Sequence, residues 1–325
     1  MSTEKQLKIG VLTSSGDAPG MNAAIRAVAR TGAYHNMKVY GIMRGYEGLL
    51  SAEIEELEPR EVSNIIFRGG TLLLTARCEE MKTVEGQERA ANVAKVLGLD
   101  ALIVAGGDGS LRGAQALSKL GVNVIGIPAT IDLDMACTEY TIGFDTAINT
   151  GMEAINRIRD TSTSHERCSV VEVMGRSAGH LALWCGITGG AEEVMIPEYK
   201  ELNTERVVQQ IIENRSKGKR HNLIVVAEGV GGSVALAQEL QSVLGIQSRA
   251  TVLGHLQRGG APTALDRMHA SVMGYMAVEA VVRGERNKAG IVKDGRHALM
   301  DLDEALACTK PYDHSLYEMI KVLAI

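Results

Sequence analysis

The stretch ALIVAGGDGSLRGAQAL, residues 101–117, is an uninterrupted apolar run, then a glycine-rich turn, then a helical pattern. A run that is apolar at every position suits a strand buried on both faces of a parallel sheet. The same unit recurs in both directions along the chain. Strands are predicted at Lys8–Thr13, Lys38–Met43, Ala101–Ala105, Asn123–Pro128, Cys168–Met174, Asn222–Glu228 and Arg249–Leu253. Helices are predicted at Met21–Tyr34, Gln87–Leu97, Ser110–Leu120, Phe144–Asp160, Arg176–Thr188, Thr204–Ser216 and Val234–Leu244. The Phe144–Asp160 segment carries apolar residues at 144, 148, 152, 155 and 158, the spacing of one helix face. Alternating strands and helices imply a doubly wound α/β fold. About seven strands would crowd one sheet, and 325 residues suit about two domains. The predicted architecture is therefore two α/β domains sharing a cleft.

Composition narrows the function. Apolar residues make up 45% and charged residues 22%, enough for sizeable cores and too much for a disordered chain. Aromatics are only 3%, so the cores must be aliphatic and base-stacking surfaces are not expected. A net charge of −5 argues against bulk nucleic-acid binding, although local arginine clusters can still hold a small anion. Five cysteines without a CxxC or other metal spacing suit a reduced compartment. The start, MSTEKQLKIG, has no apolar signal region, and no apolar run approaches the ~18 residues of a membrane span. The expectation is a cytoplasmic protein that binds neither nucleic acid nor membrane.

Ligands of such sheets gather in the loops after the strands. In Ser14–Asn22, Gly16 and Gly20 permit close backbone approach before a helix, which suits either a phosphate or a plain tight turn. In Gly106–Ser110, three glycines bracket Asp108, so backbone can wrap phosphates while the carboxylate reaches their magnesium. There is no Walker A motif in the chain. Pro128–Asp134 places Asp132 and Asp134 beside Thr130, which fits proton abstraction near a metal–phosphate centre or an acidic capping turn. Arg77, Arg167, Arg176, Arg249 and Arg258 lie near strand ends and helix starts, with Met174-Gly175-Arg176 and Gly254–Gly260 the richest segments. Gly229–Gly232 lacks dinucleotide-binding spacing and reads as a turn. Lys217–His221 is either a helix-end dipole partner or an anionic effector site.

Taken together, KIGVLTSSGDAPGMNAAIR, RGGTLLLTARC, GGDGS, ATIDLD, YTIGFDTA, DTSTSHER, VVEVMGRSAGHLAL and RATVLGHLQRGG resemble the bacterial-type ATP-dependent 6-phosphofructokinases, in family order and over essentially the whole chain. The resemblance implies two doubly wound three-layer α/β/α domains with a catalytic cleft between them. The larger, ATP-binding domain would comprise 1–142 with about 257–306. The smaller, fructose 6-phosphate-binding domain would comprise 143–256 with about 307–325. It implies that Gly16, Arg77, Cys78, Gly107, Asp108, Gly109 and Ser110 line ATP, and that Asp108 serves Mg²⁺. Thr130, Ile131 and Asp132 match the sugar-facing loop, with Asp132 the base for the 1-hydroxyl and Thr130 and Arg176 beside it in catalysis. Met174, Gly175, Arg176, Glu228, His255, Leu256, Gln257 and Arg258 match the substrate site. Arg167 and Arg249 match positions that reach the 6-phosphate from a neighbouring subunit, which implies a homotetramer. Arg26, Arg30, Arg159, Glu192, Lys217, Lys219 and His221 match an ADP or phosphoenolpyruvate effector site.

Pyrophosphate-using relatives carry a bulky acidic residue at the position of Gly109 and lysine at that of Ala129; small residues here favour ATP. The chain also departs from its family. Ser15, Ala129 and Cys137 replace glycines, Leu133 replaces asparagine, Glu139 an aspartate and Pro59 an arginine with Arg60 beside it. An isobutyl group between two carboxylates keeps a second expectation open, a nucleotide- and sugar-phosphate-binding regulatory paralogue with weak turnover; a pyrophosphate-dependent kinase is a third.

Overall fold

The computed structural model describes residues 6–14, 16–199, 204–309 and 314–324; Ser15 lies outside them. In chain order the elements are β1 (Lys8–Thr13), α1 (Met21–Tyr34), β2 (Lys38–Ile42), α2 (Tyr46–Leu50), β3 (Ile54–Glu56), α3 (Val84–Val96), β4 (Ala101–Gly106), α4 (Asp108–Lys119) and β5 (Val124–Pro128). There follow α5 (Phe144–Ser164), β6 (Cys168–Val173), α6 (His180–Gly189), β7 (Glu193–Met195), α7 (Thr204–Ser216), β8 (Asn222–Ala227), α8 (Ser233–Leu244) and β9 (Ser248–Val252). The chain ends with α9 (Ala264–Val282), β10 (Lys288–Lys293), β11 (Arg296–Asp301), α10 (Leu302–Ala307) and α11 (His314–Leu323).

These elements form two units. The first comprises Met1–Ile131, Met135–Thr146 and Arg258–Lys310; the second comprises Asp132–Asp134, Ala147–Gln257 and Pro311–Ile325. The first holds a seven-stranded sheet in the order β11-β10-β5-β4-β1-β2-β3. Its strands are parallel except where β3 and β11 close the two edges antiparallel. Every residue of β4 is buried, as its unbroken apolar sequence requires. Leu12, Leu102, Val104, Leu111, Leu117 and Val124 form the centre of a core between sheet and helices. α1 meets α9 through small residues: a Cβ at Gly274 would lie 2.7 Å from the Ala24 carbonyl, so the two backbones nearly touch.

The second unit holds an all-parallel sheet in the order β7-β8-β6-β9. Val170, Ile224 and Val226 pack there against Ile211, Leu236 and Leu240 of the covering helices. In the first sheet the chain runs from β1 outward through β2 and β3, then returns to the other side of β1 with β4. In the second it runs from β6 towards β8 and β7 on one side, then returns to the other with β9. Each reversal opens a crevice beyond the strand ends. The loops after β1 and β4 flank the first crevice, and those after β6 and β9 flank the second.

Several expected boundaries move. Eleven strands are present among the described residues rather than about seven. β3 and β7 have three residues each, too short for a periodic signal. β10 and β11 join through Asp294-Gly295, both at positive φ, a two-residue hairpin turn that the sequence announces by its Asp-Gly pair. The helix expected from Arg176 begins at His180, because Gly175 and Arg176 both adopt positive φ and cannot join a right-handed helix.

Candidate active site

In the first unit the loops after β1 and β4 are joined by hydrogen bonds. Ser110 Oγ donates to the Ser14 carbonyl at 3.1 Å, and Tyr46 Oη donates to the Ser110 carbonyl at 2.7 Å. Burial of Tyr46 pushes its phenol up, so that hydroxyl stays a donor. Gly106 has no room for a side chain: a Cβ would lie 2.6 Å from Ser110 and 2.9 Å from the Ser14 carbonyl. Gly109, by contrast, faces open space, with nothing within 4 Å of an added Cβ. Asp108 opens α4, where the helix dipole favours its charge, and pairs with Arg112 at 2.7 Å one turn later. Arg258 spans the first loop, its Nη1 donating to the Asp17 carbonyl at 3.2 Å. The same atom lies 2.6 Å from where a Cβ on Gly16 would stand.

Arg77 is exposed, whereas Cys78 packs partly against the apolar core, and burial pushes its thiol up. Thr130 and Ala129 lie immediately after β5. The Ala129 amide donates to the Gly106 carbonyl at 2.9 Å, and Thr141 Oγ1 donates to the Thr130 carbonyl at 2.7 Å. This segment is backed by Ile142, whose amide donates to the Pro128 carbonyl at 3.0 Å. Thr130, Ile131 and Asp132 are all buried, Asp132 to 5% exposure. Leu133, one of the expected departures from the family pattern, is 6% exposed at φ 53, in the left-handed region.

In the second unit the loop after β6 is fixed from three sides. The Met174 amide donates to Gln257 Oε1 at 2.8 Å, and the Arg176 amide donates to Glu228 Oε1 at 2.6 Å. Gly229 lies so close that a Cβ there would sit 2.2 Å from the Arg176 carbonyl. Gly175 is at φ 132, with the Ala178 carbonyl 2.6 Å from its would-be Cβ. Arg176, His255 and Leu256 are exposed, while Gln257 is fully buried and also donates to the Ala147 carbonyl at 3.2 Å. Arg249 is exposed on β9, an edge strand, and Arg167 donates to Gln247 Oε1 at 2.6 Å.

The expected effector residues divide between the units. On α1, Arg26 and Arg30 lie one turn apart, and burial together with Arg30 lowers the Arg26 pKa. In the second unit Lys219 pairs with buried Glu192 at 2.7 Å, and Arg159 donates to the Gly190 carbonyl at 3.0 Å. Lys217 lies exposed just beyond α7 and His221 is half-buried before β8.

Two supports went unseen in the sequence. Gly229 reads as a turn glycine because close backbone approach leaves no local signal. Asp266 is fully buried and accepts from Tyr140 Oη and the Gly143 amide, both at 2.6 Å, and from the Thr146 amide at 2.9 Å and its hydroxyl. Its burial raises the carboxyl pKa, against which those four donors work. The signal was present: Thr263 and Asp266 stand three apart at the start of α9, and Thr263 Oγ1 accepts from the Asp266 amide.

The phosphofructokinase family model matches residues 8–281. An ATP-dependent 6-phosphofructokinase of Clostridium botulinum is 56% identical over 316 residues, covering 97% of this chain and 99% of the relative. Among solved structures, a phosphofructokinase from Saccharomyces cerevisiae superposes with a TM-score of 0.86 at 35% identity. It covers 98% of this chain, which spans about half of the yeast chain, 48%. A pyrophosphate-dependent phosphofructokinase from Marinobacter aquaeolei shares the fold, with a TM-score of 0.80 at 23% identity and 98% and 91% coverage.

Proposed function

The chain belongs to the phosphofructokinase family, and on that premise we propose that it transfers the γ-phosphoryl group of ATP to the 1-hydroxyl of fructose 6-phosphate, giving fructose 1,6-bisphosphate and ADP. The observation that carries this reading is the 56% identity with an ATP-dependent relative over 97% of the chain. The open space at Gly109 supports ATP over pyrophosphate, because nothing there fills the room an α-phosphate needs.

In this reading Gly16, Arg77, Cys78 and Gly107 to Ser110 receive ATP, with the N-terminus of α4 presenting backbone N–H groups to its phosphates. Asp108 is the residue that would hold Mg²⁺, which neutralises phosphate charge during transfer. A single hard carboxylate fits that role, since magnesium keeps several waters and takes its remaining ligands from phosphate oxygens. Asp132 accepts the proton of the sugar hydroxyl, and Thr130 and Ile131 set its loop. Arg77 and Arg176 offset charge developing on the transferred group. Met174, Gly175, Glu228, His255, Leu256, Gln257 and Arg258 form the sugar-phosphate side, Glu228 and Gln257 by bracing the Met174–Arg176 backbone.

We further propose a cytoplasmic homotetramer in which Arg167 and Arg249 serve a neighbouring subunit's 6-phosphate. Arg26, Arg30, Arg159, Glu192, Lys217, Lys219 and His221 would bind ADP or phosphoenolpyruvate as effector. The division into an ATP domain and a sugar-phosphate domain is supported by the separation of the chain into two units. No described helix is long and apolar enough to cross a membrane.

Leu133 in the left-handed region favours one second reading, a binding paralogue with weak turnover. The deciding experiment follows fructose 1,6-bisphosphate formation with Mg²⁺ and either ATP or pyrophosphate, in the native protein and in Leu133→Asn. Turnover with ATP alone is expected. Silence with both donors, relieved in Leu133→Asn, would establish the paralogue instead.

A further inference from the structure

His269 on α9 and His297 on β11, neither given a catalytic or effector role above, bring their rings together. His269 Nδ1 lies 2.9 Å from His297 Nε2, with ring centroids 4.9 Å apart. One ring therefore donates its N–H to the lone pair of the other, so at least the accepting ring is neutral where they meet. Two imidazole nitrogens facing each other at this distance are a pair of donors of the kind that ligates metals once the ring proton moves to the opposite nitrogen.

We propose that His269 and His297 form a two-imidazole site for a borderline divalent cation of the zinc class. Imidazole nitrogens at zinc lie about 2.0–2.1 Å from the ion, and a tetrahedral angle then sets them about 3.3 Å apart. The pair needs to open by only a few tenths of an ångström. The donor ring must carry its proton on its opposite nitrogen, so binding requires a tautomer change and no net proton loss. Both rings are half-exposed, which leaves an entry path and room for water as the remaining ligands. Among the described residues no group of three His, Cys, Asp or Glu is placed to hold a metal, so the site is open and of modest affinity. Asp145, close enough to act on His269, adds favourable field for a cation.

The consequence is mechanical. His269 stacks on Tyr140 at 3.9 Å, and Tyr140 is held by Asp266. A bound cation would clamp β11 to α9 and stiffen the Tyr140–Gly143 segment that backs the Thr130 loop.

The test uses the full chain without a histidine tag. Titration calorimetry with Zn²⁺, and the visible absorption of added Co²⁺, should show one site per chain with a micromolar Kd. A hundredfold excess over Kd should raise Tm by about 5 °C. His297→Gln and His269→Gln should each weaken binding at least 30-fold and abolish the Tm rise, while leaving ATP-dependent turnover within twofold. The first variant replaces a half-exposed strand residue and serves if the second folds poorly. Absence of binding by the native protein at millimolar ion, or equal binding by native and variant proteins, overturns the proposal.

Discussion

Leu133 offers a test in which the smaller residue should be the more stable one. It stands at φ 53, where an L-residue carries roughly 1–2 kcal/mol of strain. It is also 6% exposed, and burying a leucine returns roughly 1.5–3 kcal/mol. Burial thus holds a strained backbone in place. Leu133→Ala removes most of the apolar contact and keeps the strain, so a loss of about 2–3 kcal/mol is expected. Leu133→Gly loses slightly more contact but relieves the strain, at a cost of about 0.5–1 kcal/mol for the freedom glycine gains in the unfolded chain. The glycine variant should therefore exceed the alanine variant by about 0.5–1 kcal/mol, against the usual order of side-chain size. Urea denaturation of the three proteins reads this directly, through midpoints at matched slope. An alanine variant as stable as the glycine variant, or more so, would refute the claim that residue 133 is strained.

Three other outcomes are expected. Asp132→Asn should lower kcat by about 10²–10⁴-fold with KM for both substrates little changed, measured by steady-state kinetics; near-native kcat would remove Asp132 as the base. Gly229→Ala should displace the Arg176 carbonyl, which lies 2.2 Å from the new Cβ, and raise KM for fructose 6-phosphate about tenfold or more while sparing KM for ATP. For pH, the folded-state pKa of His269 falls from 6.5 to about 4, so the unfolded chain takes up a proton there first. Its contribution is present above pH 6.5 and is lost as pH falls from 6.5 through 4. With the ring half-open to solvent, the loss should be about 1–2 kcal/mol and absent in His269→Leu, as read by Tm against pH.

The central strands were legible because burial on both faces leaves a continuous apolar run, as in β4 and β8. The glycine-rich exit of β4 was legible as well, since Gly106 has no room for a side chain between Ser110 and the Ser14 carbonyl. The short edge strands β3 and β7 carry too few residues for a pattern, and the hairpin of β10 and β11 was missed despite its Asp294-Gly295 turn. The positive φ of Arg176 is invisible in sequence, since arginine does not announce a left-handed residue; the Glu228 and Gly229 contacts that hold it arise only in the folded chain. Glu139 has a place in the fold that its neighbours in sequence do not announce. Its two oxygens accept the Asp294 and Gly295 amides, so a carboxylate one methylene longer than aspartate grips the hairpin turn.

The discontinuity of the first unit has a consequence for synthesis on the ribosome. Its chain breaks off at Thr146 and resumes at Arg258. The second unit's sheet is complete once β9 has emerged. The first still lacks the α9 face that covers α1, the β10 strand that pairs with β5, and Asp266, which satisfies Gly143 and Thr146. Asp266 follows Thr146 by 120 positions, about 6–24 s at ordinary elongation rates. Through that interval the apolar side of α1 is bare and β5 is an unpaired edge. The nascent chain is then most open to chaperone capture or misassociation, and a stall before α9 emerges would release a second unit with its sheet complete but still without α11, along with a sticky, unfinished first one.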